Sequence, residues 1–237
     1  MTRKEAEAFQ TILKNSSSPW MDGSGELGSV VISSRVRLAR NLEDVPFPHL
    51  LSDNDAGLVL EKVFEAAGRI GEKGFGGPVI RIGLSEISPL DRQVLVEKHL
   101  ISPQHAEGKA GKGLVLRNDE SAAIMVNEED HLRIQVLRSG LELGEAWVLA
   151  SGIDDLFEQN LDYAYDERIG YLTCCPTNVG TGIRASVMVH LPALAVANET
   201  SRVLTAVNKI GLVVRGLYGE GTEGQGNVFQ ISNQITL

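Results

Sequence analysis

The sequence predicts a mixed chain of strands and amphipathic helices around a sizeable core, on three observations. Two runs, Val30–Arg40 and Ile183–Leu191, are rich in β-branched residues and alternate with period two. Two others, Asp53–Gly71 and Leu141–Gln159, carry apolar residues at helical spacing. Across 237 residues the hydrophobic content is 43%, enough for one large domain or two small ones.

Taken in order, Glu5–Lys14 reads as a short helix, ended by Asn15–Pro19, and Gly23–Gly28 as a loose connection. Val30–Arg40 is a strand that puts Ser33, Arg35 and Arg37 on one face and Ser34, Val36 and Leu38 on the other. Asp53–Gly71 is a helix closed by glycine, Gly74–Gly77 a turn and Val79–Leu84 a strand. Ser88-Pro89 caps and opens a second helix running to His99. Ala106–Gly113, rich in Gly and Lys, is expected to be a mobile loop; it lacks the order of a P-loop. Ala122–Val126 and Ile134–Leu137 are strands, and Leu141–Gln159 is a helix that Tyr163–Arg168 breaks. Tyr171–Cys175 enters a turn, Pro176–Gly182, before the strand Ile183–Leu191, where Arg184, Ser186 and Met188 share a face opposite Ala185 and Val187. Gly180, Gly182 and Ala185 match G-x-G-x-x-A, but a strand follows where a dinucleotide site needs a helix N-terminus. Pro192 starts a helix, Ala193–Ile210, ended by Gly211. The strand Leu212–Val214, a Gly-rich loop over 215–224 and a last strand, Asn227–Leu237, complete the chain.

Composition excludes several classes. No apolar run approaches the ~18 residues of a membrane span, and the N-terminus has no signal-peptide core. A formal net charge of −9 argues against a general nucleic-acid binder, so any anion site must be a local cluster of positive side chains. Cys174 and Cys175 are adjacent, poorly placed to bridge each other and unlike a zinc spacing. Reduced thiols in a cytoplasmic protein are the expectation.

The chemistry centres on Asn127-Glu128-Glu129-Asp130-His131-Leu132-Arg133, three consecutive acids between two strands. Alone, this reads either as a solvated acidic turn or as half of a charged site. Arg35 and Arg37 likewise read as a phosphate grip, since arginine offers a planar donor fork, or as the solvated face of an edge strand. Five arginines, Arg35, Arg37, Arg133, Arg184 and Arg215, lie on or at the end of expected strands, and acid-bearing loops at Glu129 and Glu220 adjoin them. Phosphoryl transfer needs the polyphosphate neutralised, the acceptor held in line and a proton removed. Arginines meet the first need. Two carboxylates meet the others if the acceptor is a cation such as a guanidinium, whose pKa above 12 makes it a poor nucleophile until a base acts.

Ser33-Ser34-Arg35-Val36-Arg37, Asn127–Arg133, Cys175–Arg184 and Arg215-Gly216-Leu217-Tyr218-Gly219-Glu220 resemble, in that order, the signatures of the phosphagen (ATP:guanidino) kinases. Arg40-Asn41, Glu97–Pro103, Tyr163–Arg168 and Asn233–Leu237 look like the bacterial branch that phosphorylates arginine in proteins. The resemblance implies an α+β fold, a large antiparallel sheet flanked by helices, of the glutamine-synthetase-like type. It implies that Arg35, Arg37, Arg133, Arg184 and Arg215 hold the ATP phosphates. Ser33, Ser34, Val36, Ala185, Ser186, Val187, Met188, Gly216, Leu217, Tyr218 and Gly219 lie in the nucleotide-binding segments, with His99 near the nucleotide. Glu129 would be the main base and guanidinium clamp, Glu220 the second carboxylate and Cys175 a reactive thiol. Asp130 would help order the waters of a Mg2+ carried by the nucleotide, with no resident metal on the protein.

Small-molecule phosphagen kinases carry a helical N-terminal domain, whereas residues 1–28 here read as a short lead to a catalytic domain over 29–237. That favours an open site and a protein-bound arginine. The helical C-terminal domain of the bacterial branch is expected to be absent. By resemblance, phosphorylation would mark proteins for Clp-protease degradation and inactivate a CtsR-type repressor, with an McsA-type activator and a ClpC-type unfoldase as partners. The alternatives are a kinase for free arginine or another small guanidino compound, and an inactive ATP-binding adaptor.

Overall fold

The computed structural model describes residues 1–107, 110–216 and 225–236. Ten strands are present among them: β1 (Val31–Arg40), β2 (Val79–Gly83), β3 (Gly113–Arg117), β4 (Ala122–Val126), β5 (Leu132–Ser139), β6 (Tyr165–Asp166), β7 (Gly170–Tyr171), β8 (Ile183–His190), β9 (Leu212–Gly216) and β10 (Val228–Asn233). The helices are α1 (Arg3–Lys14), α2 (Asp53–Phe75), α3 (Pro89–Glu97), α4 (Leu143–Glu158), α5 (Pro192–Val196) and α6 (Thr200–Lys209). Eight strands form one sheet in the order β2-β3-β4-β5-β1-β8-β10-β9. Every neighbouring pair is antiparallel, so the architecture is the expected α+β one.

The two faces of the sheet are covered differently. On one face, α2 and α4 pack Val59, Val63, Ala66, Ala150, Ile153 and Phe157 against Val36, Leu38, Ile124, Ile134 and Val136. Leu204 of α6 continues this layer over Val31, Val189 and Phe229. On the other face, Phe9 and Ile12 of α1 and Leu95 of α3 cover Ile80, Ile82, Leu114, Leu116 and Met125. That second apolar layer stops at β4. Met125 pairs with Arg133, and beyond it the same face of β5, β1 and β8 bears Arg133, Gln135, Arg37, Arg35, Arg184 and Ser186. Residues 1–28 belong to this body: α1 fills the second layer, and Trp20 donates its indole N–H to the Lys98 carbonyl at 3.2 Å. Lys98 is itself buried against Glu120, at 3.0 Å to both carboxylate oxygens, and Ser18 donates to the same carboxylate.

Two expectations are corrected. Ala106–Gly113 does not run as loop to its end, because Gly113 opens β3, a strand the sequence reading omitted; residues 108 and 109 lie outside the described residues. Gly113–Leu116 is buried on both faces, so no alternation marks it. The single helix expected over Ala193–Ile210 is two helices, α5 and α6, with Asn198 between them at φ 57. Asparagine tolerates that left-handed conformation, which no α-helix continues through. The helix expected over Asp53–Gly71 does break at Gly71, which is non-helical at φ 63 and ψ 178, and a further turn carries α2 to Phe75, with Gly76 as a left-handed cap.

Candidate active site

The arginines meet on the uncovered face. Arg37 stands directly opposite Arg184 across β1 and β8, and like charges in that position destabilise a sheet. Arg35 stands opposite Ser186, and its Nε donates to the Ser186 hydroxyl at 3.4 Å. Burial, then the charges of Arg133 and Arg184, lowers the Arg35 guanidinium to about 10. Burial, then Arg35, Arg133 and Arg184, pulls Arg37 down further, against the raising effect of Glu128. The buried Nε of Arg37 has no hydrogen-bond partner among the described residues. A triphosphate supplies the missing acceptors and negative charge, so these side chains fit it. Arg37, Arg133, Arg184 and Arg215 line one cleft of about 500 Å³ together with Glu128, Glu129, Asp130 and Asn178.

The acidic turn forms the opposite wall. Asn127, at φ 57, donates its backbone N–H to His131 O at 2.9 Å, and its side-chain amide donates to Ala56 O and Gly111 O at 2.9 and 2.7 Å. The three acids then diverge in role. Glu128 receives Arg133 Nη1 and the Ser102 hydroxyl, each at 2.6 Å. Its burial raises the carboxyl, but Arg133 and these bonds outweigh that and bring it down to about 2. Asp130 Oδ1 accepts from Asn41 Nδ2 at 2.6 Å and from the Cys174 N–H at 2.8 Å. Glu129 is exposed at the cleft between these two anchored neighbours. Partial desolvation of its carboxyl at the cleft wall, then the charge of Asp130, raises its pKa, which suits a proton acceptor.

A second strand entrance brings in the cysteines. Cys174 is half-buried, and burial, then the Asp130 charge, pushes its thiol up to about 12. Cys175 Sγ lies 3.0 Å from the Thr177 hydroxyl and within electrostatic reach of Arg184. Gly182, at φ 66, lies where a Cβ would come within 2.6 Å of Ala39 O and Arg40 Nη1, so only glycine lets this loop lie against β1. Arg40 accounts for the close approach. It pairs with buried Asp154 through Nη2 at 2.6 Å, donates to Thr181 O at 2.9 Å, and stacks on Tyr171 with Cζ 3.6 Å from the ring centroid. As the reading of the Gly180-x-Gly182 segment required, a strand, β8, follows it.

Other expected residues sort by face. Ser33, Arg35, His99, Ser186 and Met188 share a small cavity with Trp20 and Gln230 beside the arginine cluster. His99 packs edge-on against Trp20 at 5.3 Å, with its carbonyl held by Gln135 Nε2 at 2.8 Å. Four side chains belong to the helix-covered face. Val36, Ala185 and Val187 pack in the apolar layer, and the Ser34 hydroxyl donates to Gly140 O and accepts from the Glu142 N–H at the start of α4. Gly216 ends β9. Leu217, Tyr218, Gly219 and Glu220 lie outside the described residues. Glu128, Ser102, Asn41 and Asn178 stand inside the quoted motifs, but the sequence reading gave none of them a role in the site. Of these only Glu128 left a signal, since a charge five residues from Arg133 across a tight hairpin is placed to meet it.

His131 is structural rather than a member of the β5 face. Its Nδ1 accepts from the Leu42 N–H and its Nε2 bonds Pro46 O, both at 3.0 Å, and burial lowers it to about 4. Burial likewise lowers His105 to about 4. Both sit below the ordinary histidine value of about 6.5, so the unfolded chain binds protons first as pH falls. Stability is therefore expected to drop between about pH 6.5 and pH 4, by ~1–2 kcal/mol per histidine near pH 5. Urea midpoints at about pH 7.5 and 5 measure this, and His105→Phe is expected to flatten the slope.

Residues 59–237 match the family described as ATP:guanido phosphotransferase, C-terminal catalytic domain. The chain belongs to this family. It is 53% identical over 229 residues to the protein-arginine kinase of Symbiobacterium thermophilum, covering 97% of this chain and 65% of that protein. It is 55% identical over 226 residues to the protein-arginine kinase of Brevibacillus brevis, covering 95% of this chain and 63% of that one. The chain thus spans just under two thirds of these relatives' length. Among solved structures, the substrate-free duplicated taurocyamine kinase of Schistosoma mansoni superposes with a TM-score of 0.74 at 26% identity, over 98% of this chain and 35% of that one. The residues matched to the family include β5 and β8, with Arg133 and Arg184, whereas β1, with Arg35 and Arg37, precedes them.

Proposed function

We propose that this chain transfers the γ-phosphoryl group of ATP to the guanidinium of arginine side chains in proteins. One observation carries the reading: Arg37, Arg133, Arg184 and Arg215 share one cleft with Glu129, whose carboxylate, unlike those of Glu128 and Asp130, accepts no hydrogen bond among the described residues. The named relatives at about half identity supply the acceptor class.

In this reading Arg35, Arg37, Arg133, Arg184 and Arg215 bind the phosphates, and His99 lies near the nucleotide. Glu129, with Glu220 as the second carboxylate, holds the incoming guanidinium in line. One N–P bond forms as the bond from γ-phosphorus to the ADP oxygen breaks, and the proton leaving the attacking nitrogen goes to Glu129. Magnesium, brought by the nucleotide, would add charge neutralisation, and Asp130 is placed at the cleft to order its waters. Cys175 contributes a polarisable group beside the guanidinium.

Proteins with exposed arginines are the substrates, and a CtsR-type repressor, an McsA-type activator and a ClpC-type unfoldase are the proposed partners, in the cytoplasm. No helix among the described residues is long and apolar enough to cross a membrane. The test is incubation with ATP and either an unfolded arginine-rich protein or free arginine, followed by mass spectrometry that preserves acid-labile phosphoramidates. Phosphoarginine in the protein is expected. Turnover of free arginine alone favours a small-guanidine kinase, and ATP binding with no turnover on either acceptor favours the adaptor reading.

A further inference from the structure

Asn41 follows the last residue of β1 and is 1% exposed. Each of its side-chain hydrogen-bonding groups is used. Nδ2 donates to Asp130 Oδ1 at 2.6 Å and to Leu172 O at 3.0 Å, while Oδ1 accepts from the His131 N–H at 3.0 Å. Its own carbonyl accepts from the Ala164 N–H at 2.8 Å. One side chain therefore ties the acidic turn to the segment that leads into Cys174 and Cys175. The tie is doubled, because the oxygen of Asp130 held by Asn41 also accepts from the Cys174 N–H at 2.8 Å.

The neighbours of Glu129 are then fixed from independent directions. Glu128 is held by Ser102 and Arg133, and Asp130 by Asn41 and the Cys174 backbone. Glu129 has neither anchor for its own carboxylate, so its position is set by the backbone on either side. Small displacements at a reacting centre cost large factors in rate, and a group whose rotamer rests on buried hydrogen bonds is the efficient way to prevent them.

We infer that Asn41 is a positioning residue: it sets the spacing between the Glu129 carboxylate and the Cys175 thiol, and so the geometry of the acceptor half of the cleft. None of its side-chain hydrogen bonds goes to Arg35, Arg37, Arg133, Arg184 or Arg215, so it reaches the phosphate half only through Asp130. This rests on the phosphotransferase reading for its rate consequence, but its structural core is testable without turnover.

The experiment compares N41A, N41S and N41D with the native chain. N41A removes every side-chain bond, N41S keeps one donor, and N41D keeps the shape but presents an oxygen to Asp130. For N41A and N41D, kcat for arginine phosphorylation is expected to fall by about 100-fold with ATP dissociation constants within about twofold of native. N41S is expected to recover part of the loss. Independently of activity, the rate of Cys175 alkylation by iodoacetamide, followed by peptide mass spectrometry, is expected to shift several-fold in N41A and N41D. Unchanged kcat and unchanged alkylation overturn the inference. So does a loss of ATP affinity in proportion to kcat together with a lowered melting temperature, which is the pattern of a merely structural residue. Should N41A not fold, N41D and N41S carry the same comparison. If the native chain phosphorylates no arginine, the functional reading fails, and the alkylation rates alone still decide the role of Asn41.

Discussion

Glu129→Gln is expected to lower arginine phosphorylation by about 10²–10⁴-fold while leaving ATP affinity within about twofold. The substitution keeps the shape and one acceptor but removes the basic site. Three carboxylates share the turn, yet only this one is available. Glu128 is neutralised by Arg133 and held low, at about 2, and Asp130 is occupied by Asn41 and the Cys174 N–H. The carboxyl of Glu129 is raised instead, by burial and then by Asp130. A stronger base at the place where a guanidinium loses its proton is the useful direction of shift. Steady-state rates with an arginine-rich protein, set beside calorimetric ATP binding, measure both quantities. A near-native rate removes Glu129 from the role of base, and a matching loss of ATP affinity moves it to the nucleotide side of the cleft.

Arg37→Met is expected to move stability and binding in opposite directions. Without nucleotide, Arg37 faces Arg184 across the strands and feels Arg35 and Arg133 as well, with its buried Nε unpartnered among the described residues. Methionine keeps the aliphatic stem and removes that repulsion. The free chain is expected to gain ~0.5–1 kcal/mol. ATP binding loses at least one charge-assisted hydrogen bond, ~1.5–3 kcal/mol or about 10- to 150-fold. Thermal melts with and without ATP read both effects on one sample. A destabilised free chain, or unchanged ATP affinity, contradicts the assignment of this residue to the phosphates.

What the sequence showed follows from which surfaces are half-buried. β1 and β8 are legible because one face packs on α2 and α4 while the other carries Arg35, Arg37 and Arg184. β3 is illegible because Gly113–Leu116 is buried on both faces and offers no period. Propensity joined α5 to α6, since one asparagine at φ 57 barely alters an otherwise helical pattern. In the site, the run Glu128-Glu129-Asp130 stood out by charge alone. Which acid remains available depends on Ser102 and Asn41, the latter 89 residues from its partner Asp130. Hydrogen bonds across such separations leave no local trace. Resemblance supplied the arginine set, and the register of β1 with β8 shows how Arg37 and Arg184 come together.

The sheet order also bears on how the chain comes into being. β1 is made early, yet it lies between β5 and β8. Strands β2 to β5 can zip up as a local meander while the rest is still being synthesised. The arginine cluster cannot, because Arg184 arrives on β8, after α4 and the whole Cys175 loop. Closing so long a stretch is slow in chain-entropy terms. A nascent chain thus has its core strands β2 to β5 available for pairing well before β8 brings Arg184 to Arg37.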